Sequence, residues 1–415
     1  MHKIGSDMRI AIEAISLSSK NITGIGNVTL HYIRELQKID ADNHYFIYTI
    51  DDLLHVDIRG DMWKHVQYNS WIKQKKYDVA SVWKALKENS PKTLSSLAKI
   101  YYLRILKMCL EAIDAVCLHV WLAFSLRKNK IDVYIGIFAD FFPFFFFPPI
   151  KKIWLIHDLV WKLFPETTQI NNTIINRLIV RNMNRADLLL SVSDSTRNDL
   201  IDLLNIRKKI LTLHNAADRS IFHRADDASI NRVKKKHGIT KKYILSVCTI
   251  EPRKNLTALL EAYAMMDDGA RHQLVLVGMS GWKNTSLYGL IENHPAKDGI
   301  IITGYMAMEE LAPIYTGAEV FIFPSLYEGF GLPVLEAMQC GCPVISSTTS
   351  SIPEVAGDAC ILIDPHDIPG LASAIKKVLS GRKVRNEMIG KGLARSRLFS
   401  WEKSARRLLE IVRSV

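Results

Sequence analysis

Short apolar runs alternate with stretches of helical period along most of the chain. Residues 9–15 (RIAIEAI) form the first run, and a loop with Gly24, Ile25 and Gly26 follows it. Val28, Tyr32, Ile33 and Leu36 then recur at helical spacing, with Asn27 placed to cap the helix. Strand, glycine turn and helix open a parallel α/β unit. Further strands are predicted at 133–137, 152–156 and 188–192. After a polar, charged stretch near 224–241 the same grammar restarts, with strands at 243–247, 273–277, 300–302, 320–323 and 344–346. Strands separated by helices imply parallel sheets covered on both faces. The expected fold class is α/β, two doubly wound Rossmann-like domains facing across a cleft that is the natural ligand site. The first domain is expected over 1–225 with a helical insertion at about 64–130, the second over 226–395, and a final amphipathic helix over 396–415.

Composition changes this picture only through charge. With 48% hydrophobic and 23% charged residues the chain is an ordinary globular sequence, but its formal net charge is +12. Between Lys64 and Lys130 thirteen Lys or Arg stand against four Asp or Glu, a net +9. Such a run is either a solvated helical face or a surface that docks on acidic lipid headgroups. Within it, residues 108–126 are too interrupted by Glu111, Asp114 and His119 to span a bilayer. Leu106, Leu110, Ile113, Cys117, Val120 and Phe124 recur at helical spacing, so the segment reads as an amphipathic helix, buried in the core or laid into a membrane interface. The aromatic run Phe141 to Phe147 is either buried or lines an acceptor or lipid path. The six cysteines, at 109, 117, 248, 340, 342 and 360, lack zinc-site spacing, and no secretory leader precedes Met8. Small buried thiols in a reduced, cytoplasmic protein are expected.

The densest chemistry lies in residues 324–337 (PSLYEGFGLPVLEA), after a strand and so at the carboxyl edge of a sheet, where open α/β folds bind ligands. Gly329 and Gly331 permit close backbone approach. Pro333 suits the first position of a helix that stops at Gly341, and the free amides at its start suit a diphosphate. Glu336 is read as lying in the first turn of that helix, favoured by its dipole or free to bond a ribose diol. Glu328 sits in the loop ahead, within reach of a sugar hydroxyl. Asp40-Ala41-Asp42 has the spelling of a metal-bridging motif but falls in a polar turn, and no histidine cluster suggests a metal site.

Glu328 and Glu336, with seven residues between them in a Tyr-Glu-Gly-Phe-Gly-Leu-Pro setting, resemble the E-x7-E motif of family 4 glycosyltransferases of the GT-B fold. Residues 246–256 (SVCTIEPRKNL) are similar to that family's donor-phosphate segment, and 276–278, 303–305, 352–355, 156–159 and 24–26 also fit. The resemblance is thinnest over 60–130. It implies that Arg253 and Lys254 grip the donor diphosphate, with backbone at Gly331 and Leu332. It also implies that Glu328 holds hydroxyls of the transferred sugar, Glu336 the ribose, and backbone at Tyr305 and Met306 the base. His157 would face the donor sugar, Gly24 and Gly26 would form a donor/acceptor loop, and the final helix would cross back onto the first domain. Many members carry an arginine where this chain has Thr249, which leaves Arg253 as the arginine of the site. The expected reaction is metal-independent, retaining transfer from a nucleotide sugar, with no cofactor required.

GDP-mannose is the leading donor, since the Glu-Pro-Arg-Lys-Asn segment resembles mannosyltransferases, and a UDP-sugar is second. The expected acceptor is a lipid-linked glycan of O-antigen or capsule synthesis, worked on at the inner face of the plasma membrane with peripheral contact to anionic lipid. A nucleotide-sugar epimerase is opposed by the glutamate spacing, and a non-catalytic binding subunit by the intact motif residues. Nucleic-acid binding is opposed by the absence of any reader motif.

Overall fold

A computed structural model describes residues 7–18, 24–68 apart from 51, 54 and 59, 113, 116–137, 149–165, 173–266, 272–279, 281 and 285–415. Among the described residues thirteen strands fall into two sheets. The first contains β1 (Arg9–Glu13), β2 (His44–Thr49), β3 (Trp63–Gln67), β4 (Val133–Gly136), β5 (Lys151–Ile156), β6 (Leu188–Ser191) and β7 (Ile210–Thr212), in the order β3-β2-β1-β4-β5-β6-β7. The second contains β8 (Lys242–Val247), β9 (His272–Val277), β10 (Ile300–Gly304), β11 (Val320–Phe323), β12 (Val344–Ser347) and β13 (Ile361–Ile363), in the order β10-β9-β8-β11-β12-β13. The strand pairings are parallel, for example β8 with β9 and β11 with β12. Both orders run outward from the first strand and then reverse, the doubly wound pattern.

The nine strands expected from apolar runs are present within a residue or two at each end. Those at β2, β3, β7 and β13 were not expected. β2 (HYFIYT) mixes aromatic and polar residues in a short run that periodicity does not separate from a helix, yet all of it beyond His44 is buried. The first strand ends at Glu13, where a 3-10 turn over Ile15–Leu17 takes over. Gly24, Ile25 and Gly26 do not form a loop: they are the opening residues of the helix Gly24–Ile39, and Asn27 lies inside it rather than capping it. The apolar stripe of Val28, Tyr32 and Leu36 continues back through Ile25, so the helix starts a turn earlier.

The chain divides into two compact units, one of residues 1–155, 178–189 and 409–415, the other of 156–177 and 190–408. In the first, Asp40 is buried and accepts from Asn43 Nδ2 at 2.7 Å and from the Tyr45 hydroxyl, while Arg413 pairs with Asp42 at 3.2 Å. The Asp40–Asp42 turn is thus structural. Also in this unit, residues 116–128 are helical and bury His119, Leu122 and Leu126. Ile113, Val116, Val120 and Phe124 are between 54% and 65% exposed and Cys117 is exposed, so the stripe predicted from spacing is not the core face. Most of the basic run and the phenylalanine run lie outside the described residues. Among the described residues no helix is long and apolar enough to cross a membrane.

The second unit is built on β8 to β13, with Ile244, Leu274, Leu276, Ile322 and Ile345 of the strands packed against Leu259, Tyr263, Leu371 and Ile375 of the covering helices. Every residue of β11 is fully buried, as expected for a central strand covered on both faces.

Candidate donor-binding site

In the second sheet the order reverses between β8 and β11, and ligands of open α/β sheets bind at such a switch point. The loops leaving these two strands carry the residues singled out from sequence. After β8 the chain makes a 3-10 turn over Pro252–Lys254, and Asn255 adopts a left-handed φ of 55° before the helix Leu256–Ala264. After β11 it runs through Ser325–Phe330 to the helix Leu332–Gln339. The two loops are joined through the backbone by Leu326 N donating to Arg253 O at 2.9 Å.

Glu328 is the centre of the arrangement. It is 8% exposed, with Lys254 Nζ at 2.7 Å on one oxygen and Arg253 NH1 at 3.1 Å on the other. Ser325 Oγ donates to the first oxygen at 2.6 Å. Burial pushes its carboxyl up, but the ammonium of Lys254 and the guanidinium of Arg253 outweigh that and hold it below the usual carboxylate range. Glu328 is therefore not free in its loop, and Arg253 and Lys254 are not surface charge. Arg253 also meets Glu251 at 2.6 Å, and its buried Nε has no hydrogen-bond partner among the described residues. A buried donor without an acceptor is costly, and a phosphate oxygen would satisfy it.

Two glycines shape the loop. A Cβ on Gly329 would lie 1.9 Å from the carbonyl oxygen of His157, so only glycine allows that approach. Gly331 has φ +105° and precedes the helix as its N-cap. Val334 and Leu335 donate to Gly331 O and Pro333 has no N–H, while the amides of Gly331 and Leu332 have no partner among the described residues. Leu332, not Pro333, is the first helical residue. The helix ends at Cys340, with Gly341 left-handed beyond it.

Glu336 is the fifth residue of this helix rather than a first-turn residue, because the helix begins at Leu332. It is half-buried, and Tyr315 OH donates to it at 3.0 Å. Burial pushes its carboxyl up to about 7. His157 follows β5, is half-buried, and touches the loop through its carbonyl at Gly329. Next to it, Leu159 N donates to Tyr327 OH. Tyr305 is exposed directly after β10, whereas Met306 is buried, so a ligand there would meet the Tyr305 side chain and the backbone. Gly24 and Gly26 belong to the first unit, where a Cβ on Gly24 would meet nothing within 4 Å among the described residues.

Sequence reasoning missed the residues that hold the loop. Tyr327 OH donates to Asp199 at 2.8 Å, Glu328 N donates to Ser350 Oγ at 2.8 Å, and Ser351 Oγ donates to Glu328 O at 2.9 Å. Ser193 Oγ and Thr196 Oγ1 donate to Gly329 O at 2.6 and 3.1 Å. Asp194, His214 and Glu354 also converge closely enough to be considered as metal ligands. Their ligand atoms are already engaged: Glu354 accepts from His214 Nε2 and two amides, and Asp194 accepts from Thr212 and pairs with Arg197.

Residues 228–395 match the family described as glycosyl transferases group 1. The chain is 34% identical over 286 residues to the O-antigen chain mannosyltransferase B of Escherichia coli, covering 68% of this chain and 74% of that protein. It is 30% identical over 274 residues to the serotype-specific mannosyltransferase WbdA of Escherichia coli, where it spans only 33% of the relative's length. Among solved structures, sucrose-phosphate synthase from Thermosynechococcus elongatus superposes with a TM-score of 0.71 at 18% identity, over 98% of each chain, a likeness of fold. The two doubly wound sheets are those of the GT-B fold. The chain belongs to the group 1 glycosyl transferases.

Proposed function

We propose that this glycosyltransferase moves mannose from GDP-mannose to a lipid-linked glycan acceptor, with retention of configuration and without a bound divalent cation. The observation that supports it most is the buried cluster of Arg253, Lys254 and Glu328 beside the open amides of Gly331 and Leu332. In this reading the donor diphosphate lies on the two cations and the amides, which stabilise the negative charge that builds on it as the bond to the anomeric carbon breaks. Glu328 holds hydroxyls of the sugar and Glu336 the ribose diol. The base lies at Tyr305 and the backbone of Met306, and His157 faces the sugar. The acceptor hydroxyl attacks the anomeric carbon from the face the diphosphate leaves, and its proton passes to the departing phosphate oxygen. Mannose and an O-antigen-type product are supported by the names of the two Escherichia coli relatives.

The acceptor end is read from the first unit. The exposed stripe Ile113, Val116, Val120 and Phe124, within a run of net +9, suits insertion of one helix face among anionic headgroups. This would put the enzyme on the inner face of the plasma membrane, next to a lipid-linked acceptor.

Thermal-shift titrations with GDP, UDP, ADP and CDP, each in EDTA, test the donor. GDP alone should stabilise the protein. Stabilisation by UDP would transfer the reading to a UDP-sugar, and no shift with any nucleotide would leave a non-catalytic binding subunit in its place. Glu328→Ala should remain folded and lose at least about a hundredfold in transfer, the scale of one lost transition-state contact in a preorganised site.

A further inference from the structure

Residues 351–354 read Ser-Ile-Pro-Glu, the spelling of a capping box, in which serine and glutamate satisfy the amides at the start of their own helix. The helix Ile352–Ala356 does form, but Ser351 makes no capping bond. Its hydroxyl instead donates to Glu328 O, and the Glu354 carboxylate leaves its own helix altogether. Glu354 accepts from Asp194 N at 2.9 Å on both oxygens, from Ser195 N at 3.2 Å, and from His214 Nε2 at 2.6 Å. It thus sits at the start of the helix Asp194–Asp202, where backbone amides and dipole favour an anion. That helix start carries Ser193 and Thr196, the two hydroxyls on Gly329 O. His214 also packs its ring against Phe330, at 5.9 Å between centroids, and against Phe399 at 5.6 Å.

The donor loop is therefore gripped from two sides, by 193–196 on Gly329 and by 350–351 on Glu328, and Glu354 with His214 ties the two grips together. We infer that Glu354 and His214 are positioning residues of the sugar transfer, holding the 328–330 loop in its donor-binding geometry. Neither reaches the donor; both act through the loop. The inference rests on the reading of that loop as the donor site. Arg197, which pairs with Asp194, and Arg395, which donates to the carbonyls of Glu354 and Val355, complete the charged surroundings of the pair.

The test uses the full-length enzyme and its turned-over nucleotide sugar, with Glu354→Gln, His214→Gln, His214→Phe and, as control, Glu328→Ala. Glu354→Gln should raise the donor KM about tenfold, the size of one charge-assisted hydrogen bond, and leave the acceptor KM unchanged. His214→Gln keeps an N–H for Glu354 and should stay within about threefold of wild type, whereas His214→Phe keeps the aromatic packing and should behave like Glu354→Gln. The reverse order of the two His214 variants would assign the histidine to packing and overturn its role. A Glu354→Gln enzyme with normal donor KM and only a reduced active fraction would overturn the positioning role of the glutamate. If Glu328→Ala also leaves transfer untouched, the reading of the loop itself fails, a different outcome from failure of the clasp alone.

Discussion

At the scale of single residues, Glu328 and Lys254 each depend on the other. Both are about nine-tenths buried; without Glu328 the Lys254 ammonium would be an uncompensated charge, and without Lys254 the Glu328 carboxylate would keep only Arg253. Removing one member of such a pair costs about 3–5 kcal/mol, whereas neutralising both together costs far less. Lys254→Met should therefore lower stability in urea unfolding more than the double variant Lys254→Met/Glu328→Gln does. Bound donor would present Lys254 and Arg253 with a second anion, so part of the grip on Glu328 would pass to the diphosphate and free the carboxylate for the sugar. The two motif glutamates also titrate in opposite directions. Glu328 has its pKa depressed, so its contribution to stability is present above the ordinary glutamate range and is lost as pH falls through its folded pKa. Glu336 has its pKa raised to about 7, so stability falls as pH rises from the ordinary glutamate range through that value. Nucleotide should bind better as Glu336 ionises and becomes a full acceptor for the ribose. We expect GDP affinity to rise between pH 6 and pH 8 (about one unit either side of that value). In Glu336→Gln it should be weaker and flat over the same range, measured by calorimetry; an unchanged rise in that variant would remove Glu336 from the ribose.

At the scale of elements, the loop between β11 and the helix Leu332–Gln339 shows where sequence was legible. Gly329 and Gly331 could be marked as positions of close approach, but only the fold shows that Gly329 lies against the backbone of His157, more than a hundred residues earlier. Gly329→Ala has no room for its methyl without moving backbone. We expect it to cut transfer as severely as loss of Glu328, together with a lower thermal midpoint, because the loop must leave the hydroxyls of Ser193 and Thr196. A fully active Gly329→Ala would mean that the loop is not held against residue 157. Glu336 was placed one position too early in its helix because Pro333 suits either of the first two helical positions, so a one-residue shift in helix start passed unseen. The serines and Glu354 stayed hidden because their partners are far away in sequence. Short polar residues signal caps and turns locally, and here that local signal points to bonds the structure does not make.

At the scale of the whole molecule, two sheets of the same winding were foreseeable from runs of apolar residues, since a strand buried on both faces must be apolar throughout. The two halves differ in what they leave exposed. The stripe of Ile113, Val116, Val120 and Phe124 carries the right period for a helix, and period alone does not say which side faces the core. With the stripe exposed, Val120→Glu/Phe124→Glu should leave stability unchanged and reduce sedimentation with vesicles containing anionic lipid, and high salt should weaken wild-type binding. Loss of stability in that variant, with vesicle binding intact, would return the stripe to a packing role.

Nine strands with helices between them, the place of the 324–331 loop after one of them and the identity of its chemical groups were determined by the sequence. They depend on local propensity, hydrophobic period and turn chemistry, which neighbouring residues express on their own. The tertiary structure alone decided that Arg253 and Lys254 are buried against Glu328, that burial pushes the Glu336 carboxyl up against the opposing effect of the Tyr315 hydrogen bond, and that Glu354 serves a helix other than its own. Each of these is a long-range pairing whose energy comes from shared burial, and burial is a property of the folded chain rather than of any segment of it.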